Sequence, residues 1–172
     1  MVLVGLVVAF GVAPTAFAAP FCGITWGSLT KEAGQGSPGD LTGVRAGRHD
    51  CFDRLVLDVA GPAAGYRVSY VDQVHQGGSG DVVPLRGGAR LAVDALLDAH
   101  DDAGNPTYRP ANRQELVDVT GWRTFRQVAF ASDFEGHTTL GLGVRARLPF
   151  RVFVLNGPGS GSRLVVDVAH RW

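Results

Sequence analysis

Short apolar runs separated by glycine and proline are the feature that most constrains the fold of this chain. Its 172 residues include 24 glycines and 9 prolines, which fall mainly at the breaks between these runs. No window of helical length shows a 3.6-residue apolar period, whereas several runs alternate with a period of two. Eight or nine short strands with such breaks predict an all-β fold, either a two-sheet sandwich or a partly closed barrel.

The strand candidates are β-branched or alternating segments that end at turn residues. They are residues 24–29, 54–59, 66–71, 82–85, 90–97, 122–131, 138–147, 150–155 and 163–169. Within the fifth of these, residues 95–99 offer a single helical turn as the alternative. Residues 76–81 predict a hairpin connection, and residues 34–43 and 100–112 predict loops because they are rich in Gly, Pro, Asp, Asn or Ser.

Residues 1–18 have the pattern of a signal peptide. They carry no charged side chain, contain an apolar run over residues 2–12 and end in Ala16-Phe17-Ala18, whose small residues fit cleavage after Ala18. No Lys or Arg precedes the run, so an upstream start codon, a weak signal and a buried N-terminal strand are the alternatives. The run is also shorter than the roughly 20 residues of a spanning helix. We therefore expect an exported, extracytoplasmic protein with one mature domain over residues 19–172.

Two cysteines, Cys22 and Cys51, occur in the chain. An even pair in an exported protein predicts a disulfide, which would close a loop of about 30 residues and stabilise the fold by roughly 3–4 kcal/mol. One alternative is lipidation of Cys22, although the bulky Phe21 fits poorly where a lipobox needs a small residue. Zinc is the other, but two distant cysteines without a nearby histidine pair do not supply four ligands.

Composition excludes several classes of protein. Sixteen Lys+Arg balance sixteen Asp+Glu, and 45% of the residues are hydrophobic. A balanced chain with that apolar content is neither a polybasic nucleic-acid binder nor a disordered segment. No phosphate-binding loop and no basic aromatic surface of the nucleic-acid type appears, so we expect no nucleic-acid partner and no cofactor.

The sequence contains no recognisable catalytic or metal-binding motif. Its glycine-serine segments lack the G-x-S-x-G spacing of a nucleophile elbow. Residues 98–105 resemble a calcium loop only superficially, since Arg109 stands near the place of a closing carboxylate. The histidines are spread along the chain without an HExxH-type spacing: they are His49, His75, His100, His137 and His170. We therefore expect no catalytic residue and no metal ligand.

Asp133 and Glu135 lie two residues apart and would form an acid/base pair if both pointed to one face of a strand. The following Gly136 favours a turn or strand end instead. A small hydrolase assembled from distant residues remains a rival hypothesis, and it requires a pocket that joins two histidines to Asp133 or Glu135.

Six segments, taken in order, carry a resemblance to a known family. They are Cys51-Phe-Asp-Arg-Leu-Val-Leu-Asp58, Gly65-Tyr-Arg-Val-Ser-Tyr-Val71, Gly78-Ser-Gly-Asp81, Asp133-Phe-Glu-Gly136, Pro149-Phe-Arg-Val152 and Arg163-Leu-Val-Val-Asp-Val168. Together they span about residues 24–170. The chain resembles the AMIN-like domain of secreted or lipoprotein-type actinobacterial proteins, a relative of the AMIN module beside bacterial cell-wall amidases. The resemblance implies a two-sheet β-sandwich at the cell envelope, associated with peptidoglycan binding rather than catalysis.

We hypothesise a non-catalytic exported module that binds peptidoglycan or another cell-wall glycan. Such binding requires aromatic faces and planar hydrogen-bonding groups. Trp26, Trp122 and Tyr66 are the candidate aromatic residues, with core packing as their alternative role. The candidate ligand-binding residues are Arg54, Arg67, Trp122, Arg123, Asp133, Glu135, Arg151 and Arg163. The rival hypothesis is a protein-interaction module that binds an envelope enzyme or secretion component, through a strand added at a sheet edge.

Two strand candidates have nearly the same sequence, and we call this short internal repeat the echo. Residues 54–60, Arg-Leu-Val-Leu-Asp-Val-Ala, recur as Arg-Leu-Val-Val-Asp-Val-Ala over residues 163–169. The echo indicates either pseudo-symmetric halves or a chance similarity of β-rich segments.

Strand alternation predicts how the echoed residues are placed. Leu55, Leu57, Leu164 and Val166 should lie in the core, while Val56 and Val165 share a partly covered face with the charged residues. On that face, the arginines and aspartates either pair across strands as surface ion pairs or present the ligand surface.

Overall fold

The computed structural model describes residues 20–35, 39–63 and 65–172, so the proposed signal peptide lies outside the described residues. Eleven strands form within this part of the chain. They are β1 (Lys31–Ala33), β2 (Asp40–Arg48), β3 (Phe52–Ala60), β4 (Tyr66–Val71), β5 (Val74–His75), β6 (Val82–Val83), β7 (Ala89–Ala95), β8 (Phe125–Phe134), β9 (His137–Val144), β10 (Phe150–Asn156) and β11 (Ser162–Ala169). A short 3₁₀ turn at Phe21–Gly23 precedes them. The described residues contain no helix long and apolar enough to span a membrane.

Two antiparallel sheets form the sandwich. The five-stranded sheet has the order β1-β4-β7-β9-β8, and the four-stranded sheet has the order β10-β11-β3-β2. Strands β5 and β6 form a separate two-stranded hairpin. The prediction of a two-sheet all-β sandwich is confirmed, and alternate residues of the central strands face the space between the two sheets.

The core lies between the two main sheets. It includes Phe125, Leu140 and Leu142 from the five-stranded sheet and Phe150 and Leu41 from the four-stranded sheet, all fully buried. Leu55, Leu57, Leu164 and Val166 are also in this core, with at most 1% exposure, which confirms their predicted placement.

Strands β1, β2 and β5 are not among the predicted strands, and the ends of several others differ by a few residues. Residues 40–43, predicted as loop, begin β2, an edge strand whose glycines and polar residues hide its pattern. Residues 24–29 form only an isolated bridge between Gly27 and Phe150. Strand β8 starts at Phe125 rather than Trp122, because residues 119–122 form a turn closed by the Trp122 amide and the Val119 carbonyl. Residues 100–112 contain no strand, and the hairpin connection over residues 76–81 is confirmed.

The echoed strands β3 and β11 are antiparallel neighbours, with Val56 paired to Val165 at the centre. Each hairpin, β2–β3 and β10–β11, contributes its second strand to the middle of the sheet. The echo is therefore a local two-fold relation inside one sheet, in which the arginine of each copy lies opposite the aspartate of the other.

Val56 and Val165 are more deeply buried than the echo predicts. They are 5% and 1% exposed, although they lie on the outer face of the four-stranded sheet. Long flanking side chains cover apolar surface with their hydrocarbon stems, and this face is rich in arginine. The expectation of a partly covered face is thus wrong for these two valines.

The outer face of the five-stranded sheet is covered by the chain itself. Val74, Val83 and Leu85 form a second small core with Ala129 and Ala131 of β8. The cover fits because β9 is glycine-rich where the segment crosses it. A Cβ atom on Gly141 would lie 2.7 Å from Leu85 Cδ1, and one on Gly143 would clash with the backbone carbonyl oxygen of Arg86.

Candidate functional site

A fully buried carboxylate organises the outer face of the four-stranded sheet. Asp167 in β11 accepts hydrogen bonds from Arg54 on one side, at 2.6 Å from Nε to Oδ1 and 2.9 Å from Nη2 to Oδ2. From the other side, Arg151 Nε donates to Oδ2 at 2.8 Å. Since a buried charge is costly unless it is paired, both guanidinium groups are held in place by Asp167.

The strand register produces this arrangement. Arg151 of β10 and Arg54 of β3 are both paired with Asp167 of β11, so the three side chains stand in one row across the sheet. The cross-strand pairing predicted for the echo is confirmed for Arg54 and Asp167. Its description as a surface ion pair is wrong, because the Asp167 side chain has 0% exposure.

Three aromatic rings surround the two guanidinium groups. The Arg151 guanidinium lies 5.0 Å from the ring centre of Phe153, 5.4 Å from that of Phe52 and 5.5 Å from that of Trp26. The Arg54 guanidinium lies 5.1 Å from Phe52 and 5.4 Å from Phe153. These distances are within the range of cation–π attraction.

We name these six residues, Trp26, Phe52, Arg54, Arg151, Phe153 and Asp167, the arginine–aromatic cluster. Trp26 joins it from the N-terminal segment, where its Nε1 donates to the Phe21 carbonyl at 2.8 Å. The predicted disulfide is confirmed: Cys22 is bonded to Cys51, which directly precedes β3, with 6.4 Å between their Cα atoms. The disulfide thereby anchors the tryptophan beside Phe52, whose ring centre is 5.9 Å away.

The cluster keeps cationic capacity for a ligand. Two arginines face one aspartate, and the side chains of Arg54 and Arg151 are 23% and 33% exposed. The hydrogen bonds that Arg54 donates to Asp167 raise the pKa of Arg54 above its ordinary value, so the group stays charged. Neither Nη1 atom has a hydrogen-bond partner among the residues that the structure describes. Each guanidinium is therefore partly exposed beside aromatic rings, with its Nη1 atom outside the contact with Asp167.

Arg163 lies on the same face, in β11, but outside the cluster. It donates from Nη2 to the Asn156 carbonyl at 3.3 Å. The predicted pairing of Arg163 with Asp58 is wrong, because Asp58 instead accepts two hydrogen bonds from Arg45 of the edge strand β2, at 2.8 and 2.9 Å.

Three other predicted ligand-binding residues lie elsewhere. Arg67 in β4 forms an exposed ion pair with Glu32. Trp122 stacks on Phe125 with 6.0 Å between ring centres, so it packs against the core. Arg123 donates to a backbone carbonyl at 3.4 Å. The structure therefore joins Arg54 and Arg151 of the predicted set, with Arg163 along the same face.

Asp133 and Glu135 do not form an acid/base pair. Asp133 is in β8 and accepts a hydrogen bond from His100 at 2.8 Å, a bond that raises the pKa of His100. Glu135 lies in the turn after β8 with a left-handed φ of 50°, as Gly136 favoured. The strand-face interpretation of this pair is wrong.

The histidines have separate partners, which weighs against an assembled hydrolase. His137 contacts Asp94, and His170 contacts Asp53. The cavity that contains Asp133 is lined by one histidine, His100. A hydrolase would require two histidines beside Asp133, and this cavity provides one.

The sequence of the chain matches a known protein family. A family model for the AMIN-like domain matches residues 39–170. The chain belongs to the AMIN-like domain family. No curated protein and no solved structure gives a significant match to it. AMIN-like domains are non-catalytic modules associated with the cell envelope, and the disulfide agrees with an extracytoplasmic location.

The residues predicted from the sequence of this AMIN-like domain do not include Phe52 or Phe153 of the cluster, and the central role of Asp167 is not predicted. The signal that could find Phe153 is the alternation in β10, because Arg151 and Phe153 lie two residues apart and share the outer face. The sequence pattern shows Asp167 only as one residue of the repeated segment. Its two-sided contact needs the register of three strands, which the echo alone does not supply.

Proposed function

We propose that this AMIN-like domain binds peptidoglycan through the arginine–aromatic cluster. The observation that carries the proposal is the row of Arg54, Asp167 and Arg151, flanked by rings. A fully buried aspartate fixes both guanidinium groups before any ligand arrives, so little conformational entropy is lost on binding.

The chemistry of the cluster suits a glycan that carries carboxylates. The faces of Trp26 and Phe153 offer apolar surface for the C–H face of a sugar ring. The exposed edges of Arg54 and Arg151 offer donors for the carboxylates of muramyl groups and stem peptides, in the planar geometry that arginine provides. A polymer with both features would contact rings and guanidinium groups together.

Sedimentation with purified sacculi tests the proposal. We expect the folded domain to sediment with sacculi, and Trp26→Ala and Arg151→Ala each to weaken binding by about tenfold, equivalent to about 1.4 kcal/mol. Arg67→Ala is the matched control, because Arg67 is an ion-paired arginine on the other sheet. Its binding should be unchanged.

Thermal melting of each variant separates lost binding from lost folding. Reduced binding with a melting temperature near that of the parent supports a ligand surface. Absence of binding by the folded parent domain, or equal binding by Arg151→Ala and the parent, would overturn the proposal.

A second candidate function rests on the open edge of β2. Residues 42–48 make no backbone hydrogen bond outside the β2–β3 pairing within the described part of the chain. An extended segment of an envelope protein would fit here as an added strand. Cross-linking in live cells tests it: one recurrent protein partner without sacculus retention favours strand addition, whereas retention on sacculi favours the glycan.

A further inference from the structure

A histidine and two aspartates converge at a place that the proposed glycan surface does not use. His100 Nδ1 lies 2.8 Å from Asp133 Oδ2 and 4.0 Å from Asp98 Oδ1. One ligand atom from each residue lies within 4.8 Å of the others, and no other group of three such residues occurs among those described. The Asp98 and Asp133 side chains are 39% and 20% exposed, and that of His100 is 46% exposed, so the two aspartates are partly buried and the histidine is open to solvent.

Backbone contacts fix the segment that carries Asp98 and His100. The Leu41 amide donates to the Asp98 carbonyl at 2.7 Å, and Asp98 bridges to Asp40 at the start of β2. The amides of Thr107 and Tyr108 both donate to the Ala99 carbonyl. Two loop residues are thereby held beside Asp133 of β8 by contacts that do not involve their side chains.

The donor set is that of a transition-metal site. Zn²⁺ binds histidine nitrogen at about 2.0–2.1 Å and carboxylate oxygen at about 2.0–2.2 Å, so ligand atoms on one ion lie roughly 3–3.5 Å apart. The separations of 2.8 and 4.0 Å from His100 bracket that spacing. Small side-chain rotations would let an ion replace the proton between His100 and Asp133. Imidazole nitrogen favours zinc and its neighbours over Mg²⁺ and Ca²⁺.

The surroundings add charge and space. Asp40 and Asp101 lie close enough to His100 for electrostatic coupling, while Arg109 and Arg113 line the cavity beside it. His100 and Asp133 also line a cavity of about 240 Å³ whose walls include Tyr108 and Phe130. A bound ion would therefore have protein ligands on one side and open coordination positions on the other.

From this convergence we propose that Asp98, His100 and Asp133 bind one divalent transition-metal ion, with zinc as the best fit. Water would complete its coordination on the cavity side. Sequence spacing cannot reveal this site, because Asp133 lies 33 residues after His100 and reaches it only through the fold.

The chain supplies a matched control in a second histidine–aspartate pair. His137 Nδ1 lies 3.3 Å from Asp94 Oδ1, with exposures of 48% and 32%. Each pair also has a threonine hydroxyl 3.5 Å from its aspartate, Thr138 for Asp133 and Thr139 for Asp94. The two sites differ in that the His137 pair lacks a second carboxylate.

Calorimetric titration of the untagged, chelator-treated chain with Zn²⁺, Mg²⁺ and Ca²⁺ tests the proposal. We expect one equivalent of Zn²⁺ to bind and to raise the melting temperature, with binding of Mg²⁺ and Ca²⁺ at least tenfold weaker. His100→Ala and Asp98→Asn should each weaken Zn²⁺ binding at least tenfold, while His137→Ala should leave it unchanged.

Three results would overturn the proposal of a metal site. They are no stoichiometric Zn²⁺ binding by the parent chain, unchanged binding in both His100→Ala and Asp98→Asn, and an equal loss in His137→Ala. Circular dichroism checks that each variant is folded. Asp98→Asn keeps the size of the side chain and the backbone bond to Leu41, so it remains informative if His100→Ala does not fold.

Discussion

The outer faces of the two main sheets are covered in opposite ways. On the five-stranded sheet, the segment that carries β5, β6 and Leu85 forms a second apolar core against β8 and crosses the glycines of β9. On the four-stranded sheet, arginines and rings flank the buried central valines around a buried aspartate. One face is closed by the chain itself, whereas the other presents fixed cationic groups to solvent.

The two faces therefore differ in role: one only packs against the chain, whereas the other exposes side chains that could contact a ligand. A backbone segment lying on glycines buries apolar area and covers the strand beneath it. Side chains held by one carboxylate also bury apolar area, but they keep donors and ring faces accessible. Substitutions on the first face should therefore change stability, and substitutions on the second should change binding as well.

Gly143→Ala should have the largest effect on stability. The added methyl group would meet the Arg86 backbone carbonyl, which cannot move like a side chain, so we expect a loss of about 3–4 kcal/mol in urea unfolding. Gly141→Ala is the control, since its methyl group meets the flexible Leu85 side chain and should cost less. Equal losses in the two variants would contradict the difference between backbone and side-chain contacts.

Leu85→Ala should lower the free energy of unfolding by about 2–3 kcal/mol, because it removes a side chain that is 8% exposed and leaves a cavity over β9. Val82→Ala serves as the control in the same segment, as Val82 is 47% exposed and should cost under about 0.5 kcal/mol. Both variants should still bind sacculi like the parent. Lost sacculus binding by a folded Leu85→Ala domain would show that the covered face also takes part.

Asp167→Ala should destabilise the domain by about 2 kcal/mol, because it leaves Arg54 and Arg151 without their shared partner. The partial exposure of both arginines keeps the loss below that of a fully buried pair. Sacculus binding should fall as well, since the guanidinium groups lose their fixed position. Unchanged stability and unchanged binding in this variant would contradict the claim that Asp167 holds the two guanidinium groups in place.

Arg45→Ala should have the smallest effect, under about 1 kcal/mol. Arg45 and Asp58 form a bidentate pair at the edge of the same face, but their side chains are 55% and 33% exposed. Chemical denaturation at low and high salt measures the effect, which should shrink further as salt screens the pair. A salt-independent loss above about 2 kcal/mol would mean that the edge pair is as important as the central one.

The sequence predicted the strands whose alternation is enforced by burial, such as residues 163–169, where Leu164 and Val166 face the core. It failed for β2, because an edge strand needs few apolar residues and tolerates Gly43 and Gly47 on its outer face. For the site, local alternation placed Arg54 on the correct face. The contact of Arg151 with Asp167 depends on strand register, which no short-range pattern encodes.

The disulfide between Cys22 and Cys51 has a consequence for when the arginine–aromatic cluster becomes complete. It fixes the turn at Phe21–Gly23, which in turn orients Trp26 beside the arginines. Thiols remain reduced in a reducing cytoplasm and pair in an oxidising compartment. Under the proposed function, Trp26 of a newly made chain would not be held beside Arg151 until export allowed the disulfide to form. Oxidation would then act as a maturation step that confines wall binding to the compartment that contains the wall.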